Sequence, residues 1–186
     1  MTNTLVIAIG KGMNNIVEVA KINAKVLYLP IDNCDFDDTF SDDSSGDIWT
    51  GIAMYEKNQK RIAKTIKDYT KIIILTDNIS FFGQGFIFYL SKYIKRKNKK
   101  LIMIMNGNFL NRSYISQLKK CGTMIDVYQD EKYKKYHKTY FPKVSILELD
   151  GYINTVYITE LKKHAQTKNK NCYPKTPSKK ERSENS

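Results

Sequence analysis

An apolar strand that passes through a glycine turn directly into a helix constrains the fold of this chain more than any other feature. The stretch is Leu5–Val17, in which Gly10 and Gly12 separate an apolar run from a helical pattern. Glycine lets the backbone approach a ligand closely, and the first N–H groups of a helix have no partner within it. Those groups and the helix dipole favour a phosphate. The stretch therefore predicts a strand–turn–helix unit with an anion site in its turn.

The size and composition indicate one globular domain. The chain has 186 residues, of which 41% are hydrophobic and 27% are charged, and this suffices for a buried core. Met1–Thr4 lack the basic region of a signal peptide, and the apolar stretch Ile79–Leu90 is too short to span a bilayer. The cysteines have no C-x-x-C spacing, which suits reduced thiols; they are Cys34, Cys121 and Cys172. We expect a cytoplasmic protein without a membrane span.

The common catalytic signatures are missing from the sequence. It contains two histidines, His137 and His164, so neighbouring positions offer no paired-histidine metal site. It has neither a G-x-S-x-G nucleophile elbow nor a G-x-x-x-x-G-K-[ST] phosphate loop. We therefore assign no catalytic residue.

The net charge of +12 is unevenly distributed. Asp32–Asp47 contains seven aspartates and no basic residue, whereas Lys92–Lys100 contains six basic residues. A positive chain attracts nucleic acid over long range, although a solvated lysine-rich surface is the more common reason for such runs. Residues 166–186 are basic and contain few apolar side chains, so we predict a disordered tail there that is a candidate for contact with nucleic acid.

Hydrophobic periodicity predicts strands that alternate with helices. The predicted strands are Thr4–Ile9, Lys25–Leu29, Lys71–Thr76, Leu101–Met105 and Thr123–Tyr128. The predicted helices begin after Gly12 and then cover Ile48–Tyr69, Gly85–Lys97, Arg112–Cys121 and Val144–His164. This alternation indicates an α/β fold, a three-layer Rossmann-like parallel sheet with helices on both faces, over residues 1–165. Ligands bind such sheets at the carboxyl ends of the strands.

One interpretation of this layout is a Rossmann-type NAD-binding protein. Gly10-x-Gly12 then begins the G-x-G-x-x-G motif, and Asp32 at the end of the second strand binds the ribose hydroxyls. Asn15 replaces the third glycine of that motif, which leaves a bare G-x-G.

A second interpretation rests on several motifs in a fixed order. Gly10–Glu18 resembles the glycine-rich turn and N-A-V-E sequence of the FtsZ/tubulin-like GTPases. Val26–Asp32 is similar to their second strand, which ends in N-T-D, although here only the aspartate is kept. Ser80–Gly85 stands at the place of their G-G-G-T-G-T-G phosphate loop and keeps two glycines. Leu147–Val156 is similar to the start of their central helix, whose asparagine or aspartate contacts guanine, and Asn154 falls on that position.

The resemblance covers about residues 4–164 and implies GTP or GDP as the ligand, with Mg²⁺ as a candidate companion ion. It assigns nucleotide contacts to Gly10, Lys11, Gly12, Asn14, Asn15, Asp32, Gly83, Gln84, Gly85, Arg112 and Asn154. It stops before the family's second domain, whose acidic loop activates water. We therefore expect at most weak GTP hydrolysis by this chain, and an action on an FtsZ/tubulin-type filament.

Structural explanations compete with these assignments. Gly10, Gly12, Gly83 and Gly85 would also serve as plain turns, and Asn14 and Asn15 as helix N-caps. In a further alternative the chain is a pseudo-nucleotide domain that only contacts other proteins, with Phe81 and Phe82 filling the vacant site.

Overall fold

The computed structural model describes residues 3–29, 48–76, 81–106, 110–127 and 146–165. Within these ranges strands and helices alternate along the chain. The elements are β1 Thr4–Ile9, α1 Lys11–Ala20, β2 Lys25–Leu29, α2 Ile48–Ile66, β3 Lys71–Thr76, α3 Phe81–Arg96, β4 Lys100–Met105, α4 Arg112–Lys119, β5 Thr123–Asp126 and α5 Ile146–Ala165.

The strands form one parallel sheet in the order β2-β1-β3-β4-β5. Their carboxyl ends are in register: Ile9 pairs with Leu29 on one side and Thr76 on the other, and Thr76 also pairs with Met105. The central strands are buried along almost their whole length. Such continuous apolar runs are typical of parallel strands covered on both faces.

Alternate residues of the strands point into two separate hydrophobic layers. Leu5, Ile72 and Met103 belong to the layer beneath α2 and α3. Val6 and Ile73 belong to the opposite layer, beneath α1 and α5. The predicted three-layer α/β fold is therefore confirmed.

The helices match the sequence predictions apart from some of their ends. The apolar stripes of α1 and α3 are buried as expected; they are Met13, Ile16, Val17 and Ala20, and Phe86, Ile87, Leu90 and Ile94. α3, however, begins at Phe81 and not at Gly85, so the prediction of a loop up to Gly85 was wrong. Glycine lowers helix propensity, but tertiary packing overrides it here. The predicted ends Tyr128 and Val144 lie outside the described residues.

Two further expectations concern the surface and the thiols. Within the described ranges, every helix is too short or too polar to traverse a lipid bilayer. Cys121 is a half-buried free thiol, and Cys34 and Cys172 lie outside the described residues.

Candidate functional site

The chain leaves the carboxyl ends of β1 and β3 towards opposite faces of the sheet. After β1 it enters α1, which lies over one hydrophobic layer, whereas after β3 it reaches α3 over the other. Ile9 and Thr76 are paired neighbours, so a crevice opens between the two departing segments. In open α/β sheets this switch point is where ligands bind. We call it the crevice; it is bounded by Gly10–Gly12 and by Phe81–Gly85.

The turn on the α1 side of the crevice requires a glycine. Gly10 has φ 97° and ψ 153°, a backbone conformation that side chains disfavour. Its N–H donates to the Leu29 carbonyl at 3.3 Å, and its carbonyl accepts from the Met13 N–H at 3.3 Å. Gly10 is the N-cap and contributes no side-chain bond, and the first turn contains no acidic residue. The start of α1 therefore has no side-chain cap and is electropositive, as an anion site requires.

Three of the predicted contact residues are exposed on the first turns of α1. Gly12, Asn14 and Asn15 all reach solvent, and the backbone of Lys11 forms the first helical residue. Since Gly10 occupies the N-cap position, the interpretation of Asn14 and Asn15 as N-caps was wrong. Their amide side chains make no hydrogen bond within the part of the chain that the structure describes, and such amides can serve a ligand beside the turn.

The start of α3 is built differently and is tightly packed. A Cβ atom added to Gly85 would lie 2.1 Å from the Ile48 backbone oxygen, so Gly85 allows α3 to approach α2 closely. Gly83 is buried, and Gln84 is only 7% exposed. The Tyr114 hydroxyl donates to the Gln84 carbonyl at 2.7 Å, and burial raises the pKa of Tyr114. Phosphate contact by Gly83, Gln84 and Gly85 remains a prediction, and the structure gives them a packing role.

α5 brings Asn154 to the edge of the sheet that holds the crevice. The Tyr157 hydroxyl donates to the carbonyl of Thr76, the last residue of β3, at 2.6 Å. The Lys71 ammonium, at the first residue of β3, donates to the His164 carbonyl. α5 therefore runs antiparallel to β3. Asn154 precedes Tyr157 by three residues, which places it about 4.5 Å further towards the carboxyl edge. It is exposed there, next to the layer that α1 covers.

The remaining predicted residues are further from the glycine turn or lie outside the described residues. Arg112 is exposed at the start of α4, two residues after the buried Leu110. The cap of that helix, Asn111, was not predicted, and its side chain accepts from the Ser113 N–H at 2.7 Å. Asp32 lies outside the described residues. In the described part of the chain no three His, Cys, Asp or Glu side chains are grouped so as to hold a metal ion.

Sequence reasoning also missed the residues that support the crevice. Tyr157 and Tyr114 fix the end of β3 and the start of α3, and Trp49 is 74% exposed at the start of α2. Tyr157 lies within an apolar helical stripe, and a hydroxyl on such a stripe requires a buried partner. The sequence therefore indicated that the Tyr157 hydroxyl has a hydrogen-bond partner, but it did not indicate which group that partner is.

The described residues fit a nucleotide phosphate at one of the two helix starts. The first turn of α1, which has no side-chain cap, offers backbone N–H groups at the carboxyl edge of the sheet. Exposed amides follow it on α1, and the exposed Asn154 lies on α5 near the same edge. The start of α3 also has no acidic residue in its first turn. Backbone donors would hold phosphate oxygens here, and Asn154 has the donor and acceptor needed to contact a base edge.

Solved structures of the same fold include members of the FtsZ/tubulin-like group. M. jannaschii FtsZ matches with a TM-score of 0.62 at 14% identity, covering 87% of this chain and 54% of that one. CetZ from Methanosaeta thermophila gives 0.54 at 16% identity, covering 87% and 53%. CetZ2 from Haloferax volcanii, solved as a GTPγS-bound protofilament, gives 0.52 at 12% identity, covering 87% and 57%.

These matches show that the chain has the fold of an FtsZ/tubulin-like domain, as its motifs predicted. The chain spans about half the length of these structures. No protein-family model and no curated protein sequence matches it.

Proposed function

We propose that this chain binds GTP or GDP in the crevice, with the phosphates at the start of α1 and the base at α5. The observation that supports the proposal most is the uncapped glycine turn at Gly10, placed at the switch point of an FtsZ-like sheet. The likeness to the GTPγS-bound CetZ2 protofilament supports guanine over other bases. Asn154 is the residue that we assign to the base.

The proposed contacts provide binding and no water activation. The proposed contacts at the start of α1 are the backbone of Gly10, the backbone N–H groups of Lys11 and Gly12, and the amide side chains of Asn14 and Asn15. None of these is a general base at neutral pH. Mg²⁺, when bound with the nucleotide, would neutralise phosphate charge. We therefore expect the 186-residue chain alone to hydrolyse GTP negligibly, even when it is concentrated.

We further propose that the chain acts on a filament of FtsZ/tubulin type. Support comes from its fold, which it shares with FtsZ and with a CetZ2 protofilament subunit. In this proposal the crevice edge contacts a filament subunit and changes filament length or turnover. Light scattering of a purified FtsZ-type protein, with and without this chain, tests that role, and unchanged polymer length and turnover would contradict it.

A nucleotide titration tests the binding proposal. The chain contains one tryptophan, Trp49, which is exposed beside Ile48 at the start of α2, so its fluorescence reports on changes at that helix start. Calorimetry with GTP, GDP, ATP and NAD should show that the guanine nucleotides bind tightest. Asn154→Ala should reduce that preference by about 1–3 kcal/mol because base hydrogen bonds are lost.

Other outcomes of the titration identify the competing interpretations. A clear preference for NAD would replace the proposal with the Rossmann interpretation. No binding at millimolar concentrations would favour the pseudo-nucleotide interaction domain. Strong hydrolysis that rises with protein concentration would contradict the absence of water activation, and the carboxylates of Asp32–Asp47 would then be the first groups to replace.

A further inference from the structure

The amino edge of the sheet, opposite the crevice, collects basic residues from four elements. We call this surface the basic rim and define it as residues 67–71, 95–100 and 119–120. It contains nine basic residues and one acidic residue, Asp68. Most of these basic side chains are exposed, with Lys71 and Lys99 half-buried.

Contacts in the structure join these segments into one continuous surface. The Lys95 ammonium donates to the Lys120 carbonyl at 2.6 Å, which ties the end of α3 to the end of α4. The Lys99 ammonium donates to the Lys67 carbonyl at 2.8 Å, which ties the start of β4 to the turn after α2. The Lys100 N–H donates to the Thr70 carbonyl at 3.0 Å. The positive charges therefore lie side by side.

Like charges are crowded on this surface. Burial and the neighbouring Lys100 both lower the pKa of Lys71. A few of the lysines serve helix C-termini, where a cation interacts favourably with the helix dipole, but most make no such contact among the described bonds. A bound polyanion would relieve the remaining repulsion.

The surroundings of the rim favour a hydrated polyanion over a lipid surface. Large exposed apolar side chains among the described residues are Val19, Tyr28, Ile48 and Trp49, and none belongs to the rim. Binding to a membrane interface usually requires buried apolar area in addition to charge. Tyr69 and Tyr93 are half-buried, and Lys97 lies over the Tyr93 ring at 5.5 Å, so the described rim lacks an open platform for stacking bases.

We propose that the basic rim binds the phosphate backbone of double-stranded nucleic acid without reading its sequence. Phosphate contacts from lysine and arginine give affinity that depends steeply on salt and carry no sequence information. α5 ends at this same edge, because the Lys71 ammonium contacts the His164 carbonyl, and the sequence that follows Ala165 is basic. The inference is independent of the nucleotide proposal, since the crevice lies about 20 Å away across six-residue strands.

Fluorescence anisotropy with a labelled duplex of about 20 base pairs tests the proposal on the full chain. The test variant is Lys100→Gln/Lys119→Gln, which removes two exposed rim charges that make no structural bond among those described. The matched control is Lys57→Gln/Lys60→Gln, which removes two exposed charges from the middle of α2. Both variants change the net charge equally, and thermal melting verifies that both are folded.

The rim variant should lose about tenfold or more in duplex affinity near 0.1 M salt, and its slope of log K against log salt should become shallower by about 1–2. The control should keep the parent's affinity and slope, and duplexes of unrelated sequence should bind the parent alike. Equal losses in both variants, or no loss in either, would overturn the proposal. So would a parent chain that binds anionic phospholipid vesicles and not the duplex. Saturating GDP at matched ionic strength should leave duplex affinity unchanged, whether or not the crevice binds it.

Discussion

α1 and α3 both begin at the carboxyl edge of the sheet, and both have two glycines near that start. At α1 the glycine is the N-cap, with φ 97°, and the first turn is open to solvent at Gly12. At α3 the glycines lie inside the helix, and Gly85 is pressed against the Ile48 carbonyl of α2. Glycine therefore permits close approach of the neighbouring helix at the start of α3, whereas at the start of α1 it leaves an open turn, where we propose that the ligand binds.

Gly85→Ala should produce the largest effect because it opposes the packing role directly. The added methyl group would lie 2.1 Å from a backbone oxygen, so α2 and α3 must separate. We expect a loss of about 3 kcal/mol in the free energy of unfolding. Urea denaturation followed by circular dichroism measures it.

Gly12→Ala is the control for that comparison. Gly12 is exposed in α1, so the free energy of unfolding of the Gly12→Ala variant should equal that of the parent or exceed it by up to about 1 kcal/mol. If the two alanine variants had equal stability, the distinction between the two helix starts would be lost.

Gly12→Val tests the ligand role of the α1 start. A branched side chain at this position would occupy the space beside the first N–H groups of the helix, so GTP affinity should fall about tenfold or more, which is 1.4 kcal/mol. Calorimetry measures the affinity. Ser116→Val adds the same side chain at an exposed position of α4, and it should bind as the parent does. Unchanged GTP binding by a folded Gly12→Val variant would make the turn purely structural.

Removing single hydroxyl groups should have a smaller effect on stability, and it tests the hydrogen bonds that hold the start of α3 and the end of β3. Tyr114→Phe deletes the bond to the Gln84 carbonyl, and Tyr157→Phe deletes the buried bond to the Thr76 carbonyl. Each should lower the free energy of unfolding by about 1 kcal/mol. Tyr114→Phe should leave GTP affinity unchanged, because the α3 start is a packing element. A loss of GTP affinity in the Tyr114→Phe variant would indicate that the start of α3 takes part in GTP binding.

The smallest effect that we expect is a dependence of stability on pH. It comes from His164, near the last residue of α5 and far from the starts of α1 and α3. Burial lowers the pKa of His164, as do Lys163 and Lys71, whereas Glu160 at 3.3 Å opposes them. The folded state therefore binds this proton less readily than the unfolded state. The associated stability is present above the ordinary pKa of about 6.5 and is lost as the pH falls through the lowered value. His164→Gln should flatten the dependence of unfolding free energy on pH in this window. A steeper dependence would contradict the assignment.

The strands were predictable because burial dictates their composition. Runs such as Ile72-Ile73-Ile74-Leu75 are apolar on both faces, and this pattern occurs in few places other than a parallel sheet. The three predicted strands nearest the crevice therefore have the bounds that the structure shows; they are β1, β2 and β3.

The start of α3 could not be predicted from local sequence. Gly83 and Gly85 lower helix propensity, so residues 80–85 look like a loop. In the structure they lie in α3, and Gly85 packs against Ile48 of α2, which lies far away in the sequence. The hydroxyl partners of Tyr114 and Tyr157 are likewise 30 and 81 residues distant, and periodicity along one helix carries no information about them. The helix that carries Asn154 was predictable because it is read from a continuous motif, and the contact of Asn154 with a base remains a prediction.

A titration of the ¹⁵N-labelled chain with GDP, followed by amide NMR, tests the central claim most directly. Our account predicts that the largest shifts belong to the backbone N–H groups of Lys11 and Gly12, with a smaller shift at Met13, whose N–H already donates to the Gly10 carbonyl, and a second group around Asn154. The amides from Gly85 to Leu90 should move less, because they are engaged in packing. Shifts concentrated in α3 with none at Lys11–Met13, or no shifts at millimolar GDP, would contradict it.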